Sequence, residues 1–396
     1  MAPDRVTSLD GLRGLAALVV VVHHALLTMS GFSAVYWGLA EPWFVTPFAH
    51  TPLHVVWAGG EAVLVFFVLS GVVLTLPATG ERRIRWRSYY PSRLLRLYLP
   101  VAAAVVFAVA CALLWPRFVG EGYSEWVRAH GEELTPAGVV RDMALLDGTS
   151  WLNSPLWSLR WEVVFSLLLP VYIWVAVRFG RRWWPVIAGL LAAVSAFGSA
   201  VGSDAMRYLP FFGFGALVAV NLSQITRSMQ RLFTRPRGAL AEIVAGTIAV
   251  LLVTFAWWGP AATEPVGTAL RAIPVVIGVV LVVLLAIGSP GAQRLLSTRL
   301  LTAVGTISFS LYLTHEPIVV SLAVMTPPEH SWIAPVVALP ICMVAAWCFW
   351  RWVERPSHRL ARSVARSLSP SEPQTGRWGR RGQQAGSPRT EQDSRT

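Results

Sequence analysis

Along the chain, apolar residues gather into ten long runs, at roughly 12–30, 60–77, 97–115, 159–177, 184–201, 208–221, 240–258, 272–288, 305–325 and 333–350. Each is set against the roughly 20 apolar residues that a helix needs to cross a bilayer core. The sixth run, around Phe211–Val220, is short and Gly-rich. The first begins near Gly11 and no small-residue cleavage site follows it, so it reads as an anchored span rather than a removed leader. The intervening loops alternate in charge. Loop 31–59 has no arginine, whereas loop 78–96 has Arg82, Arg83, Arg85, Arg87, Arg93 and Arg96. Loop 116–158 carries more acid than base, and Arg178, Arg181 and Arg182 come next. Arg227, Arg231, Arg235 and Arg237 follow the sixth run, and Arg294 and Arg299 follow the eighth. By the positive-inside rule, this alternation predicts an even number of spans with both termini in the cytoplasm. The expected fold is all-α: a polytopic membrane protein of about ten transmembrane helices.

Beyond the last run the chain turns rich in Ser, Pro, Gly, Gln and Arg, with almost no apolar residues. Such a segment cannot bury enough surface to fold. The expected organisation is a membrane domain over 1–360 and a disordered cytoplasmic tail over 361–396.

Composition agrees with a bilayer environment. Mean hydropathy is +0.55, and only 14% of residues are charged, against about 25% in ordinary soluble domains. The net charge of +12 invites a nucleic-acid reading, but the arginines sit in short inter-helix loops and the tail, where topology explains them. No nucleic-acid partner is expected. All 33 basic residues are arginine, which fits a GC-rich bacterial source and hence a bacterial cytoplasmic membrane. Cys111, Cys342 and Cys348 lie in apolar runs without metal-ligand or redox spacing, so they read as small core residues and no metal is expected.

Ionisable residues inside spans are costly and therefore functional candidates. Arg13 and His24 lie on the first run. Eleven residues at 100° each return to within about 20°, so both side chains face the same way, about 16 Å apart along the axis. Arg13 falls at the cytoplasmic mouth and His24 deep, where an imidazole can take a hydroxyl proton as general base. A polar histidine satisfied by a neighbouring helix is the alternative. His23 points about a quarter-turn away, and Asp10 suits a helix cap. Arg93 and Arg96, three apart, form a guanidinium fork suited to phosphate, or set topology as arginines commonly do. Glu162, at the outer end of the fourth run, could pair with Arg160, anchor an acceptor or share in proton transfer. Tyr312 and His315 are on one face, and Glu316 beside them must face protein or water. Ser70-Gly71 offers a small surface for close helix approach. Trp126, Trp151 and Trp157 of loop 116–158 could lie at the membrane interface.

Taken together, these stretches resemble acyltransferase family 3, integral membrane enzymes that include polysaccharide O-acetyltransferases and macrolide O-acyltransferases. Leu9-Asp10-Gly11-Leu12-Arg13 leading to His24 is similar to the family's Arg, ten residues, His signature. Phe66-Phe67-Val68-Leu69-Ser70-Gly71 resembles its second-helix motif, and Arg93-Leu-Leu-Arg96 its Arg-x-x-Arg. Trp157-Ser158-Leu159 with Glu162 and Phe165 resembles the fourth-helix motif. Tyr312-Leu313, His315 and Pro317 resemble the late Tyr-Leu-x-His-x-Pro segment, and Glu354-Arg355-Pro356 the closing motif. There are departures. Leu64 stands where members often have Asp, leaving Glu61 as the nearest acid, and Glu316 stands where many have Trp. The chain carries no esterase-like domain after the membrane part, so a shorter type similar to the macrolide and sugar acyltransferases is expected.

The resemblance implies an acyl-CoA donor, with acetyl-CoA the first expectation, and a hydroxyl acceptor on a glycan, sugar or secondary metabolite. Arg13, Arg93 and Arg96 are expected to hold the donor phosphates. His24, with Arg13 and Glu162, is expected to run the transfer, with Glu162 or His315 orienting the imidazole. Ser70, Tyr312 and His315 are expected at the substrate. The rival class is a transporter or flippase, because intramembrane His, Glu and Arg also mark proton relays. Against it, the sequence has no internal repeat and no clearly broken helix pair.

Overall fold

The computed structural model describes residues 7–80, 84–131, 134–146, 148–262 and 264–368. Arg82, Arg83 and residues 369–396 of the expected tail lie outside the described residues. All regular structure among the described residues is helical. The membrane helices are α1 (Thr7–Leu27), α2 (Gly59–Thr75), α3 (Trp86–Leu114), α4 (Trp157–Phe179), α5 (Trp184–Val201), α6 (Asp204–Phe233), α7 (Gly238–Val253), α8 (Pro265–Gly288), α9 (Arg299–Met325) and α10 (Ile333–Phe349). After a π-helical turn at Trp350–Glu354, α11 (Arg355–Ser367) closes the described chain.

Nine of these, among the described residues, are long and apolar enough to cross a membrane. The tenth expected span is α7, whose 16 residues reach only about 24 Å. It ends at Thr254, and a one-turn helix, Phe255–Trp258, continues the run in a new direction. The sixth run is not short: α6 has 30 residues. Its glycines are interior to the helix because packing requires them. A Cβ on Gly71 of α2 would lie 2.2 Å from the Phe212 carbonyl oxygen of α6, and one on Gly215 would lie 2.1 Å from that of Val68. Two backbones meet at this crossing, as small-residue stripes permit. The expected tail boundary at residue 361 also moves, since α11 runs through it to Ser367.

α9 is the centre of the bundle, buried almost all round from Val304 to Ala323. α1, α3 and α10 surround it. α1 meets it through a second glycine crossing, where a Cβ on Gly305 would lie 2.0 Å from the Asp10 carbonyl. This contact fixes the register of α1 on α9, and therefore which residues of α9 stand beside His24.

Pro317 gives α9 a second role. Proline has no N–H, so the carbonyl four residues earlier, that of Leu313, loses its helical partner. The Asn153 side-chain amide donates to that carbonyl at 3.0 Å. The long 116–158 segment is thereby anchored on the buried central helix, where an unmet carbonyl is costly.

Candidate active site

His24 on α1 and His315 on α9 meet, with Nδ1 of the first 2.9 Å from Nε2 of the second. Hydrogen placement follows from the neighbours. His315 Nδ1 faces the Leu311 carbonyl at 3.0 Å, and a carbonyl only accepts. Nδ1 of His315 therefore donates, its Nε2 accepts, and His24 donates from Nδ1. This leaves the Nε2 lone pair of His24 for chemistry, 3.6 Å from Glu316 Oε2. The imidazole has the arrangement a general base requires: one nitrogen held, the other available, and a carboxylate near the charge that protonation creates.

Glu316 is fully buried. Its carboxylate accepts from the Ser154 N–H at 2.5 Å and the Ser154 hydroxyl at 2.7 Å. His130 Nε2 approaches it at 3.2 Å, while His130 Nδ1 donates to the Trp126 carbonyl at 2.7 Å. Both nitrogens of His130 thus have polar partners, one of them Glu316. The costly acid flagged in the sequence thus faces protein. Its partners come from the 116–158 segment that Asn153 anchors. Trp126 is buried within the protein, with its ring 5.6 Å from that of His24. His23 is held by the Trp57 carbonyl at 2.8 Å.

The remaining candidates form a second group nearer the arginine-rich end. Glu162 accepts from Arg93 at 2.7 Å and from Ser70 at 2.9 Å, and Arg93 also donates to Ser166. Two expectations change here. Glu162 does not orient His24, a place taken by His315, and it pairs with Arg93 rather than Arg160, which stacks on Trp161. The fork of Arg93 and Arg96 is also not wholly free, since the first guanidinium is committed to Glu162. Arg96 is exposed and lies within electrostatic reach of Arg13, Arg93 and Arg362. Glu354 of the closing motif accepts from Ser310 at 2.6 Å and lies within reach of Arg13 and Arg96. The Nε of Arg13 is buried without a partner among the described residues.

Two cavities adjoin these groups. A narrow one of about 40 Å³ is lined by Arg13, Ser70, Glu162 and Tyr312. A large one of about 530 Å³ is lined by His24, Glu61, Trp157, Arg207, Arg271 and Tyr312. Val63 and Tyr312 line both, so the two cavities share them as a common wall. Tyr312 is held there by its hydroxyl, 2.9 Å from the Pro155 carbonyl and 2.7 Å from Ser158. Arg13 and His24, aligned on one face of α1, thus line neighbouring cavities, Arg13 the narrow one and His24 the large one. Glu61 accepts from Trp257 at 2.9 Å and faces the large cavity.

Sequence reasoning missed His130, Ser154, Arg207 and Arg271. The first two lie in a loop without periodicity, and only the burial cost of Glu316 signalled that such partners must exist.

Comparison with known proteins gives two relatives. The chain is 31% identical over 206 residues to the acyltransferase MdmB of Streptomyces mycarofaciens, covering 48% of this chain and 45% of that protein. It is 35% identical over 118 residues to the O-acetyltransferase PaAT-1 of Phomopsis amygdali, covering 27% of this chain and 23% of that one. The chain thus aligns with less than half the length of either relative. No solved structure matches it. The acyltransferase domain family matches residues 6–351, nearly all of the helical bundle. A chain matched over that span, which includes Arg13, His24 and His315, belongs to acyltransferase family 3.

Proposed function

We propose that this multi-pass membrane protein transfers an acyl group, acetyl in the simplest case, from acyl-CoA to a hydroxyl of a sugar, glycan or secondary metabolite. The observation that carries this reading is the pair of adjoining cavities, one lined by Arg13 and the other by His24, with Val63 and Tyr312 common to both. Arg13, Arg96 and Arg362 offer guanidiniums to the donor phosphates at the arginine-rich end, taken as cytoplasmic. The slender pantetheine arm runs past Tyr312 and brings the thioester to the large cavity. There the acceptor hydroxyl attacks the thioester carbonyl. His24 Nε2 takes the hydroxyl proton as the new C–O bond forms, and returns it to the sulfur as the C–S bond breaks, leaving an ester and free CoA. Glu316 stabilises the imidazolium formed between these steps, and His315 keeps the ring from turning.

Membranes containing the protein are incubated with acetyl-CoA labelled on the acetyl group and with extracted host metabolites. Labelled ester is expected with the wild type and none above background with His24→Ala. A labelled product from His24→Ala at the wild-type rate refutes the mechanism. An intact thioester with movement of the acceptor across the membrane favours a transporter instead.

A further inference from the structure

The large cavity holds a charge arrangement that a neutral acceptor does not require. Arg207 of α6 and Arg271 of α8 both line it. Both stand at the arginine-poor end of the bundle, so the topological rule that accounts for the other loop arginines does not account for them. Among the described residues neither makes an ion pair. One Arg271 NH2 group donates to the Ala256 carbonyl, while its Nε is buried with no protein acceptor. Arg207 lies over the Tyr208 ring, 5.2 Å from its centroid. The acid facing the same cavity, Glu61, lies within electrostatic reach of Arg207, but its hydrogen-bonded partner is Trp257. Two guanidiniums and one carboxylate therefore line the cavity, an excess of positive charge among its formally charged side chains.

We infer that the acceptor carries an anionic group, a carboxylate or a phosphate, which Arg207 and Arg271 hold while its hydroxyl faces His24. A guanidinium presents paired N–H donors that match these two planar or tetrahedral anions. Trp157, Tyr208 and Tyr36 supply apolar ring surface to the same cavity, suited to the carbon skeleton of such a molecule. The inference rests on the acceptor-cavity reading above and adds the acceptor's charge.

The test is calorimetric titration of the purified protein in lipid nanodiscs with phenyl β-glucoside, phenyl β-glucuronide and phenyl β-glucoside 6-phosphate. These share a ring and an aglycone and differ in charge. At least one anionic probe is expected to bind tenfold or more tightly than the glucoside, with a preference that weakens as salt rises. Whether the glucuronide or the phosphate leads identifies the anion. Arg207→Gln and Arg271→Gln are each expected to reduce that preference severalfold while changing glucoside affinity less than twofold. Thermal unfolding of each variant confirms that it is folded. Equal affinity for all three probes, binding of none, or a preference that survives in the double variant overturns the inference. Acetyl transfer is measured on the same preparations. Preference without transfer leaves the anion site standing and counts against the enzyme reading.

Discussion

Glu316→Gln separates electrostatic support of His24 from mere packing. The substitution keeps the shape of the side chain, and its amide oxygen still accepts from the Ser154 N–H, so the anchored segment keeps its main contact. What it removes is a negative charge 3.6 Å from His24 Nε2. In an effective dielectric of about 20, two unit charges at that distance interact by about 4–5 kcal/mol. The attraction exists only once His24 is protonated, so it stabilises the transition state and not the resting site. At about 1.4 kcal/mol per tenfold in rate it corresponds to roughly a thousandfold. The glutamine dipole recovers part of it, so kcat is expected to fall about 100–1000-fold. Steady-state kinetics with acetyl-CoA and an acceptor identified from the labelling experiment measure this, with both KM values expected to change less than threefold. His130→Gln is the companion variant. It removes the hydrogen-bonding partner but leaves the carboxylate beside His24, so it should retain more kcat than Glu316→Gln. Because breaking a buried pair destabilises by about 3–5 kcal/mol, folded yield and thermal unfolding are measured for both variants. A folded Glu316→Gln enzyme with kcat within threefold of wild type, or one whose loss lies wholly in KM, refutes the reasoning.

Asn153→Ala leaves the Leu313 carbonyl without a donor beside Pro317 and should destabilise the fold by about 1–3 kcal/mol, read as a lower unfolding temperature in detergent. Adding Pro317→Ala, which restores the backbone N–H, should recover part of that loss. Gly71→Ala places a Cβ 2.2 Å from the Phe212 carbonyl and 2.9 Å from the Gly215 Cα, so α2 and α6 must separate. A cost of about 1–3 kcal/mol is expected, against little effect for alanine at Gly189, where nothing lies within 4 Å. In the segment outside the membrane, burial pushes the Asp142 carboxyl up from 3.8 to about 6, against two hydrogen bonds from Ser150 that lower it. The folded state thus holds a proton that the unfolded chain has released, and this contribution, complete below about pH 4, is lost as pH rises towards 6. Unfolding temperatures measured across that window should decline more in the wild type than in Asp142→Asn.

The helical period acts inside one element, and relations confined to one element were legible in the sequence. The placement of the spans, the shared face of Arg13 and His24, and the proximity of Tyr312 to His315 follow from length, hydropathy and the 100° turn per residue. The cost of burying Glu316 was legible too, because it depends only on a charged side chain inside an apolar run. Which groups answer that cost was decided by tertiary structure. His130 and Ser154 reach Glu316 because a proline-freed carbonyl on α9 anchors a loop more than 150 residues away in the chain. The same holds for Glu162: its helix position was plain, but Arg93 became its partner through the packing of α3 on α4. The two adjoining cavities likewise belong to no single element: α1, α2, α4 and α9 all contribute side chains to them, and glycine crossings whose partners are distant in sequence set how α1 meets α9 and α2 meets α6. Periodicity decides where a side chain points along its own helix, and only backbone-to-backbone packing decides what it meets.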